Sequence, residues 1–484
     1  MQTPNTLSNH DRTSSGQNRP PDFITRISIL LCFASFLLTV GLLLFYPYGA
    51  NYGEAPLLDQ ARHITAGENI YKPSLQLSPY VIANYTPLYP LLVGMLFRLT
   101  HIPLYPLGRM ISILAAITSS LLIGSFAQKI FGSPFITGFI AAGLFLGHPY
   151  TGLWSGLARV DSLALAFSLA GLWIVCFRWR STPWLAAALA CLLASVFTRQ
   201  TYLLAAPFAC AVWLYYNDRK RCFMFLAAFA ILGLGTFLIV NGISHGGFYQ
   251  HIVIANVNRY SFGRMLSMGM LYLITAPGFL ILAILSVRRI FKQKVAPTLL
   301  WCLLPYTTGA LLTALTVGKI GSDINYFLEF TCASAIWATG LWRGRPNKLT
   351  TSLLIFHTGW VVAFSGLLFQ APLVKLWKNI PQVDTLARLV NLAALQGPVL
   401  ADDRLDLVVL AGQAIYFQPF EYTQLYSADL WHPESFISEI KDHKFPLILI
   451  QPAYQKDRWP ELIYDAIQQN YTCKKQASLL VCSP

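Results

Sequence analysis

The chain has 484 residues, of which 55% are hydrophobic and only 12% are charged, and its mean hydropathy is +0.51. Soluble domains carry about 25% charged residues. The composition therefore excludes a soluble globular enzyme, a disordered protein and a disulfide-rich secreted module. It predicts a polytopic membrane protein. The net charge of +14 then indicates orientation and not a nucleic-acid partner, because short cytoplasmic loops collect lysine and arginine.

The N-terminal segment, residues 1–26, is polar and rich in Ser, Asn and Pro. This composition predicts a disordered cytoplasmic tail. The apolar run from Ile27 to Tyr46 follows, and no small-residue cleavage site comes after it. The run is therefore predicted to be a membrane anchor and not a cleaved signal peptide.

About eleven apolar segments are long enough, or nearly long enough, to span a membrane. They cover residues 27–47, 108–127, 134–149, 161–177, 183–198, 200–216, 222–241, 268–287, 297–317, 324–342 and 349–370. The N-terminal flank and the connectors after alternate segments are basic. These basic residues are Arg19, Arg26, Lys129, Arg178, Arg180, Arg219, Lys220, Arg221, Arg288, Arg289, Lys292, Lys294, Arg343, Arg345 and Lys348. Eleven spans with a cytoplasmic N-terminus place every one of these clusters in the cytoplasm. We therefore predict an all-α membrane domain over residues 27–370.

One apolar segment, residues 86–100, is left out of the spans. Its fifteen residues would form a helix of about 22 Å, which is shorter than the ~30 Å hydrocarbon core. Counting it as a span would invert every later loop and place four basic clusters outside. We predict instead a helix in the outer membrane interface. It belongs to a long outer loop, residues 48–107, here called the first loop.

Residues 371–484 differ in character from the rest of the chain. Helix patterns, among them residues 378–395 and 459–471, alternate with short β-rich runs, which predicts a small α/β domain on the periplasmic side. Cys473 and Cys482 have a spacing that suits two neighbouring strands of a hairpin. An oxidising compartment would join them in a disulfide. The other seven cysteines lie in or beside apolar runs without a CxxC, so they are predicted to be small buried hydrophobes.

Acidic residues of the first loop are candidates for proton transfer. Glu54 follows the first span, where a carboxylate can accept a proton from an incoming hydroxyl. The alternative is a favourable acid at a helix N-terminus. Asp59 precedes Arg62 by three residues and His63 by four, so its alternative role is ordinary pairing on a helix surface.

The first loop also carries a cation, Lys72, among several tyrosines, including Tyr85. A cation amid tyrosines at the membrane surface suits a phosphorylated headgroup. The alternative is an aromatic belt at the interface. Lys72 is the more specific feature, because basic residues are sparse on the predicted outer side.

Further charges lie where the predicted spans reach the outer side. Arg159 and Asp161 lie at the boundary of the third and fourth spans. Charged groups at that depth are costly and often functional, and a mutual ion pair that caps the helix is the alternative. Arg199 lies between the fifth and sixth spans, close to lipid, and is predicted to hold an anion.

A comparable cluster precedes the tenth span, where Lys319, Asn325, Tyr326 and Glu329 lie in the sequence GKIGSDINYFLE. Glu329 is one helical turn beyond Asn325 and Tyr326, so all three can face one cavity. A functional and a structural role both stay open here. Together these carboxylates and cations converge on the outer ends of several helices. That pattern suits a reaction between a lipid phosphate and an acceptor outside.

The sequence carries no HExxH, P-loop or GxGxxG motif. His245 and His251 have no carboxylate at a recognisable metal-ligand spacing, and Asp402 and Asp403 are more typical of a turn. We therefore assign no metal site, and a divalent cation stays open as a cofactor.

Several of these segments resemble a known family. They are YGEAPLLDQARHITAGENIY and NYTPLYPLL in the first loop, then GRMISILAA, ARVDSLAL, TRQTYLLAAP and GKIGSDINYFLE. In this order they resemble bacterial membrane glycosyltransferases of the GT-C superfamily, of the family 39 type related to protein O-mannosyltransferases and the lipid A aminoarabinose transferase. The resemblance covers most of the chain. It implies a polyprenyl phosphate-linked sugar donor and chemistry on the outer face of the bacterial cytoplasmic membrane.

The resemblance also implies an essential acid in the first loop. In the family this acid commonly occurs in an Asp-Glu pair just after the first span, where this chain has Gly53-Glu54. Glu54 takes the role by position, and either Asp59 or Asp161 is left to share it. An acid in the second outer loop is frequent in the superfamily, and Asp161 matches it.

The mechanism that follows is a hypothesis. Glu54 takes the proton of the acceptor hydroxyl, and the acceptor attacks the anomeric carbon of a hexosyl or pentosyl group with inversion. Arg199, Lys72 and Lys319 offset the charge of the departing polyprenyl phosphate. The acceptor is a lipid, a glycan or a protein. Two other functions stay open, namely a transporter or flippase of lipid-linked sugars and a non-catalytic envelope assembly protein.

Overall fold

The computed structural model describes residues 23–131, 135–256, 258–292, 295–342, 346–476 and 478–484. The predicted disordered tail lies outside the described residues as far as residue 22, and Phe23 to Arg26 form the first turn of a helix. Four of the basic residues used for the topology also lie outside them. These are Arg19, Lys294, Arg343 and Arg345.

The described chain up to Lys378 is helical, with short loops between most helices. The helices are α1 (Phe23–Leu44), α2 (Glu54–Thr65), α3 (Leu88–Thr100), α4 (Leu104–Phe131), α5 (Phe135–Leu146), α6 (Pro149–Ser155), α7 (Val160–Arg178), α8 (Thr182–Thr198), α9 (Ala205–Asn217), α10 (Arg219–Ile243), α11 (Gly247–Tyr249), α12 (Phe262–Thr275), α13 (Pro277–Phe291), α14 (Leu304–Leu315), α15 (Leu328–Ala338), α16 (Lys348–Ser365) and α17 (Ala371–Lys378). Single 3₁₀ or π turns cover residues 200–203, 250–254, 299–303, 316–318, 324–327, 339–342 and 366–370.

Among the described residues, six helical stretches are long and apolar enough to cross a membrane. They are residues 23–44, 104–131, 160–178, 219–243, 299–318 and 348–378. Helices α12 and α13 pass the same test together but are bent by 86°, because Pro277 interrupts the backbone hydrogen bonding at their junction. The chain is therefore a multi-pass membrane protein, and the total of eleven spans stays a prediction that relies on shorter helices such as α5 and α8.

Helix α3 occupies the apolar segment that was left out of the spans. It has 13 residues, which corresponds to about 20 Å. Tyr89 and Val93 are buried against the neighbouring helices, whereas Met95 and Leu99 are exposed. One apolar face of α3 is therefore left uncovered, as an interfacial helix requires, and its position at the membrane surface stays a prediction.

The C-terminal unit, residues 380–484, contains a small mixed sheet. Its elements are α18 (Ile380–Ala394), β1 (Leu400–Ala401), α19 (Leu405–Leu410), α20 (Pro419–Ser427), α21 (Glu434–Lys441), β2 (Ile448–Ile450), α22 (Gln455–Arg458), α23 (Glu461–Asn470), β3 (Thr472–Gln476) and β4 (Leu479–Ser483). The strand order is β1-β2-β4-β3, with β1 parallel to β2 and the other pairs antiparallel. The last candidate span continues through α17 and ends at Lys378. The domain boundary at residue 371 stays a prediction.

Cys473 and Cys482 lie opposite each other in the β3–β4 hairpin and form a disulfide. The hairpin predicted from their spacing is confirmed. Of the seven free cysteines, only Cys191 is partly exposed, and the others are buried.

The first loop and the C-terminal unit share one hydrophobic core. Tyr80 of the first loop is buried among the rings of Phe417, Tyr422, Trp431 and Phe436. Its backbone N–H donates to the Tyr416 carbonyl at 2.7 Å, and its own carbonyl accepts from Gln418 at 3.0 Å. The C-terminal unit is thereby held against the first loop.

His251 fastens the first loop to the turn after α11. Its Nδ1 accepts from the backbone N–H of Ala83 at 2.9 Å, and its Nε2 donates to the carbonyl of Lys72 at 3.0 Å. Burial lowers the pKa of the imidazole to about 4. The ring is therefore neutral at pH 7, and its two nitrogens have fixed donor and acceptor roles.

We expect the His251→Ala variant to unfold at lower temperature in detergent, because it leaves a buried N–H and a buried carbonyl unpaired at about 1–3 kcal/mol each. Since the folded pKa lies below the usual 6.5, the wild-type stabilisation is complete above pH 6.5 and is lost as the pH falls towards 4. Thermal unfolding of the variant should lack this pH dependence. The matched control is His432→Ala, since the His432 side chain is exposed. Equal effects of the two substitutions would contradict the stabilising role of the His251 hydrogen bonds.

Candidate active site

A cavity of about 450 Å³ is lined by the first loop, the ends of α7 and α8, residues 319–326 and the C-terminal unit. The charged residues that line it are Arg159, Arg199, Lys319, Asp323, Glu421 and Arg458. Four cations thus accompany two acids, so the wall is positively charged. A concave site with a few convergent polar groups is the usual place for a ligand.

Asp161, in the first turn of α7, is the buried centre of this cluster and has no exposed surface. Its Oδ1 accepts hydrogen bonds from Nη1 of Arg199 and from Nδ2 of Asn325, the latter at 2.8 Å. Arg199 follows α8 in an extended conformation, is 2% exposed, and its guanidinium lies 4.6 Å from the ring of Tyr326. The ends of α7 and α8 and the turn before α15 therefore meet at one carboxylate.

Arg159 adds a second guanidinium to the same carboxylate. Its Nε lies 3.7 Å from Oδ2 of Asp161, and its Nη2 donates to the Tyr85 hydroxyl at 2.9 Å. The rings of Tyr85 and Trp154 pack against its guanidinium. Because one carboxylate faces two guanidiniums, one positive charge is left over. Both arginines line the cavity, so this remaining positive charge can hold an anion there.

Glu54 lies behind the cavity wall and is completely buried. Its Oε1 accepts from Nε of Arg109 at 2.9 Å and from the Ala158 N–H at 2.8 Å, and its Oε2 accepts from Nη2 of Arg109 at 3.0 Å and from the Ala50 N–H at 2.8 Å. A carboxylate has about four lone-pair positions, and all of them are used. This geometry differs from an accessible base and favours an anchoring role, and the base role of Glu54 stays a prediction.

Neither protein-family models nor curated protein sequences match this chain. Solved structures do. ArnT from Cupriavidus metallidurans bound to undecaprenyl phosphate superposes with a TM-score of 0.62 at 12% identity, covering 95% of this chain and 97% of ArnT. Its apo form gives a TM-score of 0.61. AglB, the oligosaccharyltransferase of Archaeoglobus fulgidus in complex with an inhibitory peptide and a dolichol-phosphate, gives 0.53 at 11% identity, covering 96% of this chain and 75% of AglB. This chain has the GT-C fold.

On this fold, Gly53 marks the departure from the Asp-Glu pair of the resembled family. A Cβ atom built on Gly53 would overlap Nη1 of Arg159. The backbone of Gly53 is in the ordinary right-handed helical region, so glycine is required for space and not for conformation. The guanidinium of Arg159 thus occupies the place that an acid would take.

Most of the predicted substrate-binding residues come together in the cavity. Those that line it are Tyr85, Arg159, Arg199, Lys319, Asn325 and Tyr326. Lys72 and Glu329 do not line it. The side chain of Lys72 is half-buried, and burial lowers the pKa of its ammonium group. Glu329 lies in the helix bundle, where its Oε1 accepts from Ser168 at 3.0 Å.

Asp59 also lies away from the cavity wall. Its Oδ1 accepts from Arg62 at 2.7 Å, and its Oδ2 accepts from the backbone N–H of Ile415 at 3.0 Å. Asp59 therefore makes the helix-surface ion pair with Arg62 that was the alternative to a role in proton transfer. The second contact shows that Asp59 ties α2 to the C-terminal unit.

Arg109 is the most important residue without a predicted role. It is fully buried in α4, and besides Glu54 it contacts the carbonyls of Leu43, Tyr46 and Tyr48. These carbonyls belong to the unpaired C-terminal end of α1 and the residues after it. A charged residue inside an apolar run is itself a signal of such a role.

The cavity is also lined by four residues that the sequence analysis did not assign to a binding site. These are Tyr52, Asn84, Glu421 and Arg458. Glu421 and Arg458 lie more than 360 residues after Gly53 along the chain, and no local pattern connects them. Within the described ranges, no three His, Cys, Asp or Glu side chains come close enough to hold a metal ion.

Proposed function

We propose that this protein transfers a sugar from a polyprenyl phosphate-linked donor to an acceptor on the outer face of the bacterial cytoplasmic membrane. The observation that carries the proposal is the cavity in which Arg159 and Arg199 share one buried carboxylate, that of Asp161, so that one positive charge is left over. The presence of undecaprenyl phosphate in ArnT, and of dolichol-phosphate with an inhibitory peptide in AglB, supports a lipid-phosphate donor and a separate acceptor on this fold.

The chemistry of transfer explains why the cavity is cationic. When the bond between the anomeric carbon and the phosphate oxygen breaks, the departing polyprenyl phosphate gains one negative charge. Arg159, Arg199 and Lys319 line the cavity, and we assign them the stabilisation of that charge. Preorganised cations lower the barrier most when charge develops in the transition state. A single displacement of a hexosyl or pentosyl group inverts the anomeric centre. The contribution of Lys72 to this step stays a prediction.

Glu54 is assigned a positioning role in this proposal. It accepts a hydrogen bond from the N–H of Ala158, the residue before Arg159. It also neutralises Arg109, which donates hydrogen bonds to carbonyls at the end of α1. To act as a base it would have to exchange one of these hydrogen bonds for the acceptor hydroxyl. Its contacts therefore support the orientation of Arg159 more directly than proton transfer.

The orientation of the proposed enzyme follows from charge. Basic connectors favour a cytoplasmic N-terminus, and with that orientation the cavity and the C-terminal unit face the periplasm. The disulfide between Cys473 and Cys482 fits an oxidising compartment.

The proposal is tested with protein reconstituted in vesicles that contain a polyprenyl phosphate sugar labelled on the sugar. Transfer releases polyprenyl phosphate and moves the label to an acceptor fraction. A flippase would move the intact donor between leaflets, and a scaffold protein would leave it unchanged. Recovery of only intact donor with every envelope fraction as acceptor would contradict the proposal.

The space around Gly53 leads to a second prediction. Gly53→Ala should weaken donor use by roughly 10–100-fold, because the new methyl group displaces Arg159 and removes a charge-assisted contact of about 1.5–3 kcal/mol. The effect should appear in KM for the donor more than in the folded fraction. Gly41→Ala on α1 is the control, since a Cβ there meets nothing within 4 Å. Wild-type KM in Gly53→Ala would contradict the placement of Arg159.

A further inference from the structure

Glu421 of α20 is a cavity-lining acid with hydrogen-bonding capacity to spare. Its Oε2 accepts from the Tyr52 hydroxyl at 2.7 Å, and its Oε1 accepts from Nδ2 of Asn84 at 3.3 Å. Two of about four lone-pair positions are thus used. Glu54, behind the cavity wall, uses all four of its lone-pair positions. Asp161 is enclosed by Arg159 and Arg199. Among the acids tied to the arginine cluster, Glu421 is the one that a ligand in the cavity can reach.

The chain brings Glu421 and Arg159 to the same place. Tyr52 and Asn84 hold the carboxylate, and the residues directly after them, Gly53 and Tyr85, both contact the guanidinium of Arg159. The Glu421 carboxylate and the Arg159 guanidinium are therefore held by the same two segments of the first loop.

A second connection leads from Glu421 to Arg199. The backbone carbonyl of Asn84, whose side chain holds Glu421, accepts from Nε2 of Gln200 at 2.9 Å. Gln200 directly follows Arg199 and also lines the cavity. Two residues thus connect the carboxylate to each arginine, and all three side chains line the same cavity of about 450 Å³.

We propose that Glu421 takes the proton of the attacking acceptor hydroxyl, so that the C-terminal unit completes the catalytic site. This inference rests on the proposed function. The acceptor oxygen forms the bond to the anomeric carbon with the electron pair released by its O–H bond. The proton goes to the Glu421 carboxylate. The bond between the anomeric carbon and the phosphate oxygen breaks, and its electron pair stays on the polyprenyl phosphate beside Arg159 and Arg199.

The surroundings of Glu421 suit this role. Burial raises the pKa of its carboxyl, and the Tyr52 hydrogen bond and the Arg458 guanidinium offset part of that rise. Tyr52, whose own pKa burial raises well above its usual value, and Arg458 are the titratable and charged groups that face it from the first loop and α22. A carboxylate with a raised pKa is a stronger base than an exposed one.

The test compares Glu421→Gln with Glu439→Gln. Glu439 lies on α21 of the same unit and is also held by a tyrosine hydroxyl, that of Tyr416 at 2.9 Å, but it does not line the cavity. Labelled polyprenyl phosphate sugar is the substrate, and the bare polyprenyl phosphate is the binding probe. Glu421→Gln should lower kcat by 10²–10⁴-fold without weakening polyprenyl phosphate binding, and Glu439→Gln should keep wild-type turnover.

The pH profile provides a readout that does not depend on folding of a variant. Wild-type kcat/KM should rise with pH through the raised pKa of Glu421, and Glu421→Asp should keep a rising limb at lower rate. Wild-type turnover in Glu421→Gln, or a wild-type profile without that limb, would overturn the role of Glu421 while sugar transfer itself stands. Loss of turnover in Asp323→Asn alone would assign the role to the other acid of the wall. Failure of the wild type to cleave any donor would remove the proposed function and this inference with it.

Discussion

The Arg199→Gln variant should have no measurable sugar transfer and should be less stable than the wild type by about 3–5 kcal/mol. Asp161 has no exposed surface, and Arg199 is its direct ion-pair partner. Removing that partner leaves a buried carboxylate with only Asn325 at hydrogen-bond distance and Arg159 at 3.7 Å. It also removes one of the cations proposed to stabilise the leaving phosphate, which alone costs about 10²–10³-fold in turnover.

A second substitution separates these two effects. In the double variant Arg199→Gln with Asp161→Asn, no buried charge is left uncompensated at Asp161, so the unfolding temperature in detergent should recover most of its loss. Turnover should stay at least 10²-fold low, since the cation is still missing. Arg98→Gln on the exposed face of α3 is the control. A double variant with wild-type turnover would show that Arg199 serves only to pair Asp161.

Glu54→Gln should also be inactive, and we expect the cause to be loss of stability. Arg109 has no exposed surface and depends on Glu54 as its ion-pair partner. Breaking such a pair on one side costs about 3–5 kcal/mol. The end of α1, the start of α2 and the turn before α7 should loosen together, because these contacts all meet at Glu54 and Arg109.

The measurement for Glu54 is thermal unfolding in detergent beside turnover. An anchoring role predicts that both fall, and that adding Arg109→Gln restores part of each by removing the unpaired charge. A base role predicts wild-type unfolding with turnover lowered by 10²–10⁴-fold. That second result would return Glu54 to the role expected from its position and would contradict the assignment of proton transfer to Glu421.

Much of the helical framework is predictable from the sequence. Apolar runs and basic connectors locate α1, α4, α7, α10 and the last span, because length and hydropathy decide which segments can cross a membrane. Boundaries shift by a few residues, as at α1, which begins at Phe23 and not at Ile27. In the C-terminal unit, the helices over 378–395 and 459–471 are confirmed by α18 and α23.

The site is only partly predictable, for a physical reason. Charged residues at helix ends in an apolar chain are costly, and this signal locates Arg159, Asp161 and Arg199 in the sequence alone. The free-energy cost of burying these charges does not reveal which residue pairs with each of them. Glu54 and Arg109 are 55 residues apart and Tyr52 and Glu421 are 369 apart, so each pairing depends on the tertiary fold.

The departure at Gly53 shows the same limit. Its sequence reveals a missing acid relative to the resembled family, and the fold is needed to see that Arg159 fills the space. The cavity wall beside the first loop therefore carries a guanidinium in place of an acid. The acid with unused hydrogen-bond acceptor positions, Glu421, belongs to the C-terminal unit.

Binding of a lipid phosphate in the cavity is best tested by the affinity of purified protein for polyprenyl phosphate and for the uncharged polyprenol, in the wild type and in Arg159→Gln. Arg159 is the suitable residue, because Arg199 still neutralises Asp161 in its absence. The wild type should bind the phosphate more tightly than the alcohol, and Arg159→Gln should lose about 10-fold or more of that preference with alcohol binding unchanged. Equal affinity of the wild type for both lipids, or a preference that survives in Arg159→Gln, would contradict phosphate binding by this arginine.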